Sequence, residues 1–83
     1  MGNNNELINI APVKKYMPEE IRAIRLKIGL TQDGFGKYLG VSRATIEAWE
    51  YGRFSPSGTG HRLLAILDKD PQFPYTSGII KNE

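Results

Sequence analysis

Apolar positions along this chain recur at helical spacing in four stretches, each closed by a glycine or a proline. Ile21, Ile24 and Ile28 fall at i, i+3 and i+7 behind Pro18, with Glu19 and Glu20 in the opening turn, so a first helix starts at Pro18 and ends at Gly29. Arg25 lies on that same stripe, and a charge facing a core needs a partner. Phe35 and Leu39, four apart, mark a second helix that Thr31 caps and Gly40 ends as a left-handed residue. Ser42 begins a third, in which Ile46 and Trp49 turn inward, Arg43, Ala44, Thr45, Glu47 and Ala48 stay outside, and Gly52 closes the helix. The stretch Arg53-Phe54-Ser55-Pro56-Ser57-Gly58 is a loop by composition. Ser57 or Thr59 then caps a fourth helix running to about Lys69, whose Leu63, Leu64, Ile66 and Leu67 are expected to cover the first three, and Asp70-Pro71 stops it.

The flanks lack this period. The Asn run and LINIAPVKKY read as a polar tail leading into an extended stretch, in which Leu7, Ile8, Ile10 and Val13 can form a strand without a partner in the chain. Such a strand is disordered, lies over the core, or pairs with a second subunit or another protein. From Gln72 onward, proline, glycine and the pair Ile79-Ile80 predict a loosely attached tail. The expected organisation is an N-terminal tail over residues 1–17, one helical domain over 18–71 and a C-terminal tail over 72–83.

Two short helices joined by the Gly-Val-Ser turn at 40–42 are the layout of a DNA-reading helix-turn-helix, with a small, mostly polar face on the second helix. Composition sharpens this only slightly. Eighty-three residues with 40% hydrophobic content hold one compact domain. A net charge of +2 fits a polyanionic partner and ordinary solvated surface about equally. The absence of cysteine excludes disulfides, thiolate metal sites and a cysteine nucleophile. His61 is the only histidine, and no acidic cluster has metal or triad spacing, so it reads as a surface residue and the chain as neither an enzyme nor a cofactor or metal binder. No apolar run approaches the about 18 residues of a membrane span, and the polar opening lacks signal-peptide regions, which makes the cytoplasm the default compartment.

The stretch IRAIRLKIGLTQDGFGKYLGVSRATIEAWEYGRFSPSG resembles the Xre/Cro/phage-repressor type of helix-turn-helix. The similarity lies in the Gly-Leu-Thr-Gln entry, the Gly-Val-Ser turn, Thr-Ile-x-x-Trp-Glu-x-Gly in the third helix and the Pro-Ser-Gly loop, over residues 18–71. The loop and HRLLAILDKDP are further similar to small antitoxins and regulators of the HigA and MqsA C-terminal (YgiT-type) kind. The zinc-binding N-terminal domain of MqsA cannot be present without cysteine. The resemblance implies an all-α, lambda-repressor-like bundle of four to five short helices with extended tails.

It also implies roles. Arg25 would pair with Glu50 in a largely buried contact. Arg43 would read guanine, with Ala44 and Thr45 near thymine methyl groups, and Glu47 would accept from cytosine or act within the protein. Thr31, Gln32 and Ser42, at helix N-termini, and Arg53, Ser55, Ser57 and Gly58, in the loop, would approach phosphates. Lys37 and Tyr38 would be rim contacts, and Trp49 core. Two glycines inside the second helix cost about 1 kcal/mol each. Gly36 matches a position where the family keeps a small residue for close helix approach, whereas Gly34 has no explanation in sequence.

Two function classes follow. One is a sequence-specific regulator of double-stranded DNA, a repressor dimer on a palindromic operator, with the autoregulating antitoxin of a toxin–antitoxin pair as its most specific version and a cognate toxin as partner. The other is a protein-interaction module. The face at Arg43, Ala44 and Thr45 has no large apolar anchors, which favours DNA, and the lack of an evident exposed aromatic pair disfavours RNA.

Overall fold

Five helices, α1 (Pro18–Ile28), α2 (Gln32–Leu39), α3 (Arg43–Tyr51), α4 (Gly58–Lys69) and α5 (Phe73–Thr76), make up the regular structure of the residues 8–81 that the computed structural model describes. Residues 1–6 of the polar tail and Leu7 of the candidate strand lie outside them, as do Asn82 and Glu83. Among the described residues there is no strand.

Local chemistry sets the helix ends. The hydroxyls of Thr31, Ser42 and Ser57 accept the backbone N–H groups of Gly34, Thr45 and Gly60 at 3.0–3.1 Å, each satisfying one of the donors that a helix start leaves free. Of the two candidate caps for α4, Ser57 is the one used. At the other ends Gly29, Gly40 and Gly52 take positive φ of 94°, 82° and 78°, the left-handed turn that lets their N–H groups bond back to helix carbonyls.

The core is a cluster of Ile21, Ile24 and Ile28 of α1, Phe35 of α2, Ile46 and Trp49 of α3, Leu64 and Leu67 of α4, and Tyr16 from the segment before α1. Side chains such as Phe35, Ile46 and Leu67, wholly enclosed, each contribute about 1.5–3 kcal/mol of apolar burial. Gly36 lets α2 and α3 touch. A Cβ there would stand 2.7 Å from the carbonyl oxygen of Val41, a backbone atom with no room to yield. At Gly34 a Cβ would press on the capping Thr31 hydroxyl at 3.3 Å, which supplies the packing reason that sequence lacked.

Four expectations are corrected. Ala48, expected outside, is buried at 4% exposure, its methyl group being small enough to be covered in the second half of α3. Only one of the two apolar rows of α4 packs on the core. Leu64 and Leu67 are enclosed, while Leu63 and Ile66 remain 36% and 48% exposed. His61, expected at the surface, completes the buried row, and its Nδ1 accepts the backbone N–H of Tyr16 at 3.0 Å. The C-terminal segment is docked, since Pro74 is enclosed and the Tyr75 hydroxyl donates to the Ile28 carbonyl at 2.6 Å, satisfying an acceptor at the end of α1.

Of the stretch before α1, only Tyr16 enters the core, while Ile8, Ile10 and Val13 stay exposed. The segment is tied to α4 by the Tyr16–His61 bond, by the Tyr16 hydroxyl donating to Asp68 and by Arg62 donating to the Ala11 carbonyl at 2.7 Å. Burial, and then the nearby Asp68 carboxylate, raise the Tyr16 pKa, so its hydroxyl stays a donor.

Candidate nucleic-acid interface

The surface formed by the starts of α2 and α3 rests on an ion pair beneath it. Arg25 donates from Nε and Nη2 to the two carboxylate oxygens of Glu50 at 2.7 and 2.9 Å, and from Nη1 to the Leu30 carbonyl at 2.9 Å. The two side chains are only 8% and 3% exposed. The hydrogen bond to Glu50 raises the Arg25 pKa against the opposing effect of burial, so the guanidinium stays charged. Gln32 Nε2 adds a third donor to Glu50 at 3.2 Å. The end of α1, the turn into α2, the first residue of α2 and the last turn of α3 are therefore held together by one ion pair, Leu30 through Arg25 and Gln32 through Glu50. This fixes the relative position of two helix N-termini, where free N–H groups and the positive end of the dipole favour an anion.

Above it, Thr31, Gln32, Asp33 and Arg43 line one open notch, with Arg25 at its floor. The structure thus brings together two of the phosphate candidates and the principal base-reading candidate. Arg43, 62% exposed, lies in the first turn of α3, and its Nε stands 3.4 Å from Glu47 Oε2 one turn along. Ala44 beside it is exposed, and Thr45 is half-buried with its hydroxyl 3.0 Å from that of Ser42. Ile46 and Trp49 are buried on the opposite side of α3, and Ala48, one turn after Ala44, is buried too. What remains is a face with one forked donor, one methyl and small hydroxyls, carried on a helix of nine residues.

The other candidates sit elsewhere. Arg53, Ser55 and Ser57 are exposed in the loop after α3, outside the notch, and that loop is pinned by the buried Pro56. The Arg53 guanidinium lies 5.9 Å from the Tyr51 ring centre. Lys37 is engaged with Asp33 at 3.4 Å on the exposed side of α2, and Tyr38 is half-buried against the core. Sequence reasoning missed two features. Tyr51 and Phe54 are both exposed large aromatics at the end of α3; the spacing of two from the inward Trp49 was the signal for Tyr51. Gln32, assigned only an outward role, also reaches inward to Glu50.

A family model described as helix-turn-helix matches residues 21–59, which span α1 to the start of α4. The chain is 34% identical over 55 residues to the antitoxin HigA-2 of Vibrio cholerae, covering 66% of this chain and 53% of that protein. It is 36% identical over 52 residues to the uncharacterized HTH-type transcriptional regulator YiaG of Escherichia coli K12, covering 63% and 54%. An uncharacterized HTH-type transcriptional regulator of Methanothermobacter thermautotrophicus is 43% identical over 51 residues, 60% of this chain and 74% of that protein. The chain spans about half the length of the first two of these relatives.

Proposed function

Because the chain belongs to the Xre-like helix-turn-helix family, we propose that it is a DNA-binding transcriptional regulator that lays the exposed face of α3 in the major groove. The observation that carries this reading is the first turn of α3. Arg43, Ala44 and Thr45 stand in the first turn of a capped helix, and that turn offers no large apolar anchor of the kind a protein-binding surface uses. Arg43 reads guanine O6 and N7, and Ala44 and Thr45 meet thymine methyl groups. Glu47 completes the face, its carboxylate steadying Arg43 Nε so that Nη1 and Nη2 point toward the groove. Thr31, Gln32 and Ser42 set the domain on one strand, and Arg53, Ser55 and Ser57 approach the backbone of the other.

One helix reads too few base pairs for a unique site, so the chain acts as a homodimer on a palindromic operator. Repression follows from occupying that site. The name of the HigA-2 relative supports the narrower reading, an antitoxin that binds a cognate toxin and controls its own promoter. The test is selection of bound duplexes from a random pool. Enrichment of a sequence with two inverted half-sites is expected, and a pool left unenriched at low salt overturns the reading.

A further inference from the structure

The outer row of α4 has no partner within the fold. Ile66 lies at its centre, on the side of the helix opposite the enclosed Leu64 and Leu67, and it shares a shallow apolar groove with Arg62, Ala65, Lys69 and Asp70. One pair of charges on this row, Arg62 and Asp70, is antisymmetric about Ile66. Arg62 precedes it by four residues and Asp70 follows it by four, so a cation and an anion stand about 6 Å to either side along the helix. A surface with that pattern complements itself when rotated by a two-fold axis through its centre.

We propose that this row is the contact between two copies of the chain, α4 packing antiparallel on its symmetry mate with the axis at Ile66. The inference rests on the dimer reading above and names its surface. Ile66 meets Ile66 of the partner subunit, and Arg62 faces Asp70 of the partner subunit, an exchange that the two-fold makes twice. Leu63, 36% exposed, is covered by the aliphatic stem of the partner subunit's Lys69, and Ala65 keeps the approach close. Closing the interface displaces no core contact. Arg62 spends one donor on the Ala11 carbonyl and Asp70 one oxygen on the Gln72 N–H, which leaves the rest of the guanidinium and the second carboxylate oxygen for the partner. Ile79 is exposed too, but no oppositely charged pair flanks it, and Ile10 is exposed in the non-helical segment before α1, which offers no helix face to pair.

The chain has no cysteine, so Ile66→Cys carries a single thiol that the axis places against its own copy, within reach of a disulfide. Mild oxidation is expected to convert Ile66→Cys to a covalent dimer, while Ile10→Cys and Ile79→Cys, at positions more exposed than Ile66, stay monomeric on non-reducing gels. Sedimentation equilibrium should find the unaltered chain dimeric and Ile66→Lys monomeric, with the helical circular dichroism of Ile66→Lys unchanged. A dimer that persists in Ile66→Lys, together with no cross-linking at position 66, overturns the assignment of the surface alone. An unaltered chain that is monomeric both free and on its selected duplex overturns the dimer reading and this inference together.

Discussion

Glu50 accepts three hydrogen bonds, two from Arg25 and one from Gln32, in a position almost closed to solvent. Such a pair contributes little net stability when both charges are present, but each is costly alone, because removing one leaves the other dehydrated and unpaired. Arg25→Met or Glu50→Leu is therefore expected to destabilise the fold by about 3–5 kcal/mol, and the double replacement by clearly less than the sum. Denaturant unfolding of the four proteins measures this, and strict additivity would show that the two side chains act independently. The two positions were legible because an arginine on an apolar stripe demands an anion, while the choice of Glu50 came from family resemblance. The reach of Gln32 was not legible, since a polar residue at a helix start serves an outward contact and an inward one with the same spacing. His61 was misread for a related reason. Its partner is a backbone N–H 45 residues earlier in the chain, which no local pattern announces.

At the level of elements, the contact of α2 with α3 decides the angle at which the candidate reading face is offered. Gly36 makes that contact possible, so its cost in helix propensity is offset by packing. Gly36→Ala would gain about 1 kcal/mol if propensity ruled. With the added Cβ only 2.7 Å from the Val41 carbonyl oxygen, we expect instead a loss of about 1–3 kcal/mol. Gly58→Ala, at an open position with nothing within 4 Å, should be neutral or slightly stabilising. Thermal unfolding of the pair checks the sign, and a stabilised Gly36→Ala would mean that the turn between α2 and α3 is softer than drawn. The four longer helices were readable because Pro18 or a capping hydroxyl marks each start and a left-handed glycine, or Asp70-Pro71 for α4, marks each end, and those signals are local. The four-residue α5 was not, being shorter than the window in which a helical period shows. Nor could periodicity tell which of two adjacent apolar rows of α4 faces inward, and at Ala48 a methyl group carries too little hydrophobic signal to place it.

For the whole molecule, a net charge of +2 limits how much affinity can come from counterion release, so much of it must come from N–H groups, hydroxyls and shape. Binding to the selected duplex should weaken with salt along a modest slope. Arg53→Ala is expected to reduce that slope by about one per subunit without altering the preferred sequence. Titrations at several salt concentrations report it, and a changed base preference with an unchanged slope would make the loop after α3 a reader. The central claim, that the first turn of α3 reads bases, is tested most directly by repeating the duplex selection with Arg43→Ala beside the unaltered chain. The account predicts that the mutant binds about 1–3 kcal/mol more weakly and loses its preference at one position in each half-site, keeping the rest of the motif and the spacing. An identical motif from both proteins, at whatever affinity, would contradict it.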